Sequence, residues 1–207
     1  MGVAEALASQ PARVETEPKS PDFVVRSHSG RPLCAGTTST AKSPYWPPED
    51  YRVVASSLGN LDGDPELEVV LLASHSKLYP GMVVICDLDG KVLCRYWHPG
   101  QPSALLLHDA DNDGASEVYV GATNNDASAV RGKATPAVFC VDVHSRGEAP
   151  PRRGRIGKGR ERWYRLLDRR AAGSVATLAV EGSWLLWTTR SPRLPQGRLR
   201  LSDGEPE

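Results

Sequence analysis

The feature that most constrains this chain is an acidic loop that occurs twice. One copy reads Asn60-Leu-Asp62-Gly-Asp64-Pro-Glu66-Leu-Glu68 and the other Asp109-Ala-Asp111-Asn-Asp113-Gly-Ala115-Ser-Glu117, an offset of 49 residues. Each places oxygen-bearing side chains at loop positions 1, 3, 5 and 9 and runs directly into a β-rich stretch. A chain that repeats one unit at a fixed spacing buries the apolar face of each copy against the next.

The runs around the loops have strand character. The first series is 51–57 (YRVVASS), 67–73 (LEVVLLA), 82–87 (MVVICD) and 91–97 (KVLCRYW), with an Asp89-Gly90 hairpin signal between the last two. The second is 103–108 (SALLLH), 117–121 (EVYVG) and 137–143 (AVFCVDV). Its third strand arrives about six residues late, which predicts an insertion within 123–133. Four short strands in roughly 50 residues is the arithmetic of a β-propeller blade. Continuous apolar runs, rather than strict alternation, suit sheets covered on both faces. The expected fold is all-β, with two legible four-stranded propeller-like blades over residues 49–147 that make an incomplete propeller. A β-sandwich with two chance acidic turns is the competing reading.

The loops carry the most specific chemistry. Calcium takes about six to eight oxygen ligands, and a tight loop with alternate residues turned inward supplies most of them. The expected ligands are Asn60, Asp62, Asp64 and Glu68 in the first loop, and Asp109, Asp111, Asp113 and Glu117 in the second. Glu66 and Ala115, at position 7, would contribute backbone carbonyls. Without a cation, carboxylates gathered this closely repel one another; solvated Asx turns are the metal-free alternative. An EF-hand would need a bidentate Glu at position 12 and flanking helices. Position 12 is Leu71 or Val120 and the flanks are strands, so that motif is excluded.

D-x-D-x-D-G-x-x-[DE] entering a strand resembles the FG-GAP/VCBS repeats of integrin-α-like and bacterial β-propellers. DADNDGASEVYVG matches closely, and DLDGKVLCRYWHPG and VYVGATNND are similar to blade hairpins of bacterial members. The first loop departs from the pattern at Asn60, which removes one charge, and at Pro65, where the family usually has Gly. The resemblance covers about residues 51–147. It implies calcium-stabilised blades whose loops form a binding surface.

The flanks read differently. Residues 1–48 are rich in Pro, Ser, Thr, Ala and Gly and are expected to be a largely disordered leader, with FVV at 23–25 its one strand-like run. Residues 148–207 are expected to form a basic, weakly structured tail or a degenerate blade, with a short helix at 160–170 and a strand pair about Glu181-Gly182. Net charge is zero overall, yet residues 1–151 hold 12 Lys/Arg against 19 Asp/Glu, and residues 152–207 hold 13 against 6. The abrupt end of the repeat also fits a truncated or frame-shifted reading frame.

Catalytic signatures are missing: there is no G-x-S-x-G elbow, P-loop, dinucleotide fingerprint or H-E-x-x-H. No run approaches the roughly 20 apolar residues of a membrane span. The N-terminus lacks a signal-peptide pattern, so localisation stays unassigned. The four cysteines, Cys34, Cys86, Cys94 and Cys140, show no metal-type spacing and are expected to be free and mostly buried, as in a reducing compartment. His98 and His108 lie at blade edges and read as structural. Trp46, Tyr96 and Trp97 suit packing better than a sugar-binding edge.

Three functions remain open at this point. The first is a calcium-binding propeller module for protein or glycan ligands, without catalysis and open to assembly with further blades. The second is an accessory propeller of a larger hydrolase or signalling protein. The third is nucleic-acid binding through RRGRIGKGRERWYRLLDRR, with Trp163 and Tyr164 stacking on bases, against which a solvated basic tail is favoured.

Overall fold

A computed structural model describes residues 11–17, 20–38, 51–75, 81–125, 134–145, 161–167, 173–189 and 196–207. Fourteen strands make up the secondary structure of these residues, which contain no helix. They form four small antiparallel sheets, each following chain order. The first holds β1 (Pro11–Thr16), β2 (Asp22–Ser27) and β3 (Pro32–Thr37); the second holds β4 (Tyr51–Gly59), β5 (Glu68–His75), β6 (Gly81–Cys86) and β7 (Val92–His98). The third holds β8 (Pro102–His108), β9 (Glu117–Asn124), β10 (Thr135–Val141) and β11 (Trp163–Leu166); the fourth holds β12 (Val175–Glu181), β13 (Trp184–Thr189) and β14 (Gly197–Arg200). Among the described residues no closed barrel or closed propeller is seen.

Consecutive sheets pack face to face, and the alternation of side chains along each strand assigns residues to the layers between them. In β5, Val69, Leu71 and Ala73 face the first sheet and join Phe23, Val25, Met82 and Trp97. The intervening Val70 and Leu72 face the third sheet and join Val83, Ile85, Val118, Val120 and Phe139. A third layer, with Tyr119, Val138, Trp163, Val175, Leu185 and Trp187, separates the third and fourth sheets. Every residue of β5, β6 and β10 is therefore buried, which is why these runs read as continuous rather than alternating apolar sequence. The first strand of each sheet touches the first strand of the next: β1 meets β4, β4 meets β8, and β8 meets β12. Close packing between the third and fourth sheets also depends on Gly121 in β9, where an added Cβ would lie 2.5 Å from Cγ1 of Val175 in β12.

Several expectations are corrected. Within the leader, β1–β3 form a sheet rather than disordered chain, with Phe23 and Val25 buried against the second sheet. Of the segment expected to be helical, residues 163–166 form strand β11, pairing Trp163 with Cys140 and Leu166 with Ala137. β11 is the fourth strand of the third sheet; it satisfies the open edge of β10, and backbone pairing there outweighs local helical preference. The expected strand pair about Glu181-Gly182 is present as β12 and β13, so the basic segment supplies a further sheet as well as β11. The late insertion within 123–133 and the Arg-rich stretch of 148–160 fall largely or wholly outside the described residues.

The β6–β7 hairpin pairs Ile85 with Cys94, as alternation about Asp89-Gly90 predicts. One step further a register shift sets Cys86 against Val92 rather than Leu93. All four cysteines are free; three are buried and Cys34 is half-buried.

Candidate metal centres

Both acidic loops occupy the same place in the architecture, the connection from the first to the second strand of a sheet. Residues 60–67 link β4 to β5 and residues 109–116 link β8 to β9. They also touch each other, since the Ser116 N–H donates to the Asn60 carbonyl at 2.8 Å.

In the first loop the carboxylates of Asp62, Asp64 and Glu68 converge, each offering an oxygen within 4.8 Å of the others. Asp62 and Asp64 are exposed, whereas Glu68 is 3% exposed. Local hydrogen bonds turn the side chains inward. Asn60 Oδ1 accepts from the Gly63 N–H at 2.8 Å, Asp62 Oδ1 from Asp64 N–H at 3.2 Å, and Asp64 Oδ1 from Glu66 N–H at 2.7 Å. The Asn60 amide also donates to the Asp64 carbonyl. Glu68 closes the loop by accepting the Leu61 N–H at 2.7 Å. Burial pushes the Glu68 carboxyl above the usual carboxylate range; the Leu61 N–H opposes that shift, and the charges of Asp62 and Asp64 add to it.

The second loop repeats this plan with a different outcome. Asp109, Asp111 and Asp113 converge within 4.8 Å. Asp109 accepts from Asp113 N–H at 3.2 Å and Gly114 N–H at 3.0 Å, and Asp113 accepts from Ala115 N–H at 2.8 Å. Glu117 caps the Ala110 N–H at 3.0 Å, as Glu68 caps Leu61. Its other oxygen, however, pairs with the Arg162 guanidinium, which also reaches Asp111 at 3.3 Å. Sequence reasoning missed Arg162: it lies 45 residues beyond Glu117, in a segment outside the repeat, and no spacing rule points to it.

The loop backbones differ as well. Asn112 and Gly114 both take left-handed conformations, at φ 59° and 92°, whereas the first loop has only Gly63 there, at 84°. Pro65 occupies the place equivalent to Gly114, and its ring holds φ near −65°, so the second left-handed turn cannot form. Glu66 and Ala115 sit at the seventh loop position with their N–H groups bound by the loop, and the Glu66 side chain is exposed.

Both acidic clusters are able to hold a metal ion. Their donors are all oxygen, which suits a hard cation rather than zinc or copper. Each carboxylate oxygen has two lone pairs, so the loop hydrogen bonds leave acceptor capacity for an ion.

The other residues singled out in the sequence lie in packed settings. His98 is fully buried, stacks on Phe139 and lies 2.8 Å from the Tyr164 hydroxyl through Nε2; burial pushes its pKa down to about 3. Tyr96 and Trp97 are buried, and Trp46 lies outside the described residues. Trp163 donates to the Leu201 carbonyl at 3.0 Å and Tyr164 stacks on Phe139, so both aromatics of the basic segment are engaged in packing. A cleft of about 640 Å³ lies along β11, β13 and β14, but its Arg165 and Arg198 are already paired with Glu205, Glu181 and Glu207. Among the described residues no helix is long and apolar enough to cross a membrane.

No protein-family model matches the chain, and no curated protein does. Among solved structures it has distant likenesses to rhamnogalacturonan lyases. The Bacillus licheniformis rhamnogalacturonan lyase PL11 is 15% identical with a TM-score of 0.40, over 88% of this chain and 43% of that one. The exotype rhamnogalacturonan lyase YesX gives 14% and 0.38, over 90% and 36%, and rhamnogalacturonan lyase YesW gives 16% and 0.36, over 73% and 32%. The chain thus spans less than half the length of each, and likenesses this distant do not extend to activity.

Proposed function

We propose that this chain is a calcium-binding module of propeller-type repeats that presents a surface for a protein or glycan ligand and performs no catalysis of its own. The observation that carries the reading is the pair of loops: at the same connection in two consecutive sheets, three carboxylates converge within 4.8 Å. A divalent ion in such a loop would offset their mutual repulsion and tie the end of one strand to the start of the next. The row of face-packed sheets, joined through their first strands, supports the repeat reading, since blades stack in this way. Further blades from another chain would extend the same row.

The test is thermal melting of the whole chain in calcium and in chelator, beside the double variant Asp64→Asn/Asp113→Asn. Calcium at about a hundred times its Kd stabilises a single-site protein by about 2.7 kcal/mol. That raises Tm by about 5–11 °C in a chain of this size. The double variant, which removes one charge from each loop, is expected to lose most of the rise. Identical melting of the parent protein in calcium and in chelator would sink the metal role.

A further inference from the structure

We propose that Arg162 is a tethered cation that holds the second acidic loop against a divalent ion, so that the first loop is the tighter calcium site although its sequence lies further from the repeat motif. The inference rests on the calcium reading above and assigns the two loops unequal roles within it.

The arginine is delivered by paired backbone. Its N–H donates to the Cys140 carbonyl at 2.9 Å, immediately before β11 pairs with β10. From there the guanidinium bridges loop positions 3 and 9, Asp111 and Glu117. The Glu117 side chain is only 5% exposed while that of Arg162 is 39% exposed, so this ion pair is half-buried and partly screened by solvent. The two terminal nitrogens of Arg162 each take one carboxylate, Nη1 on Glu117 and Nη2 on Asp111, so the rigid guanidinium plane spans both through separate charge-assisted contacts. The consequence appears in the donor sets. Glu68 converges with Asp62 and Asp64, whereas the converging set of the second loop is Asp109, Asp111 and Asp113, without Glu117.

Strand register shows what the first repeat has in the same place. Cys140 pairs with Tyr119 on β9, and Ile85 pairs with Val70 on β5, 49 residues earlier. Trp163 opposite Cys140 therefore corresponds to Cys94 opposite Ile85, and Arg162, one residue earlier, corresponds in sequence to Leu93, with Val92 set opposite Cys86 by the register shift. Leu93 is a partly buried apolar residue packed on the second core layer. The first loop thus lacks an arginine at the position from which Arg162 reaches the second. A calcium ion entering the second loop has to displace a guanidinium or share two carboxylates with it, whereas one entering the first loop meets three converging carboxylates that form no ion pair among the described residues.

Calorimetric titration of calcium into the full chain tests this with six proteins: the parent, Asp64→Asn, Asp113→Asn, Arg162→Gln, Arg162→Lys and Arg162→Gln/Asp113→Asn. The parent is expected to show one tighter site, lost in Asp64→Asn. Arg162→Gln is expected to tighten the second site by about tenfold, the gain from removing a charge-assisted competitor, and adding Asp113→Asn should cancel that gain. Arg162→Lys, which keeps the charge but not the fork, is expected to give a smaller gain and serves in place of Arg162→Gln if the latter does not fold. The proposal is overturned if the arginine variants bind calcium as the parent does, or if Asp113→Asn rather than Asp64→Asn removes the tighter site. Absence of calcium heat from the parent and the arginine variants alike would overturn the calcium reading and this inference together; a normal parent isotherm with unchanged arginine variants would overturn this inference alone.

Discussion

Replacing Glu68 by Gln should change sign with calcium. In chelator, Glu68 is a buried carboxylate that converges with Asp62 and Asp64 within 4.8 Å. Two unit charges at that separation repel by about 0.9 kcal/mol at the dielectric of water and about 3.5 kcal/mol at an effective value near 20. Asp62 and Asp64 are exposed, so the lower figure governs each pair, and the variant is relieved of about 1–2 kcal/mol. Part of that gain is offset, because an amide oxygen accepts the Leu61 N–H less strongly than a carboxylate does. A net gain of about 1 kcal/mol raises Tm by about 2–4 °C. In calcium at about a hundred times the parent Kd, the parent gains about 2.7 kcal/mol, whereas a variant weakened about a hundredfold gains about 0.4 kcal/mol. The order of the two melting temperatures should therefore reverse. The advantage in chelator also depends on pH: the folded-state pKa of Glu68 lies above its unfolded value, so its charge costs stability above the folded pKa. That cost fades as pH falls through the folded pKa, and the gap between variant and parent closes with it. Scanning calorimetry in chelator and in calcium, at neutral and at mildly acidic pH, measures all three effects. A variant that melts below the parent by the same amount under every condition would refute the argument, since Glu68 would then act only as a backbone cap.

Further perturbations address the frame around the loops. His98, whose folded pKa is about 3 because of burial, stays neutral where an unfolded histidine takes up a proton near 6.5. Stability should therefore fall as pH drops below about 6.5, with this residue contributing up to about 1.4 kcal/mol per pH unit. Urea melts at a series of pH values should show a shallower slope for His98→Gln, and an unchanged slope would contradict this role. Leu71→Ala, in a strand buried on both faces, should cost about 2–5 kcal/mol in denaturant unfolding. A loss below about 1 kcal/mol would mean that the layer between the first and second sheets is not close-packed.

The sequence was most legible where one physical rule acted alone. β4–β10 follow from apolar runs bounded by turn residues, and the acidic loops follow from alternate oxygen side chains. It was least legible where a distant partner decides the outcome. β11 forms because β10 offers an unpaired edge, which composition in an Arg-rich stretch does not reveal. β1–β3 are short and interspersed with turn residues, so Phe23 and Val25 show their purpose only against the second sheet. The Cys86–Val92 pairing turns on a single register shift after a turn in which Gly90 is left-handed. Within the candidate centres, the converging aspartates could be read from spacing, whereas the capture of Glu117 by Arg162 joins residues that only the sheet brings together.

The most direct measurement is calorimetric titration of calcium into the full chain, with magnesium as the comparison. Saturable calcium binding at one tighter and one weaker site is predicted, with magnesium much weaker, because magnesium demands near-octahedral geometry and gives up its water reluctantly. A folded protein that gives no calcium heat would contradict the calcium-binding role and leave the two loops as solvated turns between packed sheets.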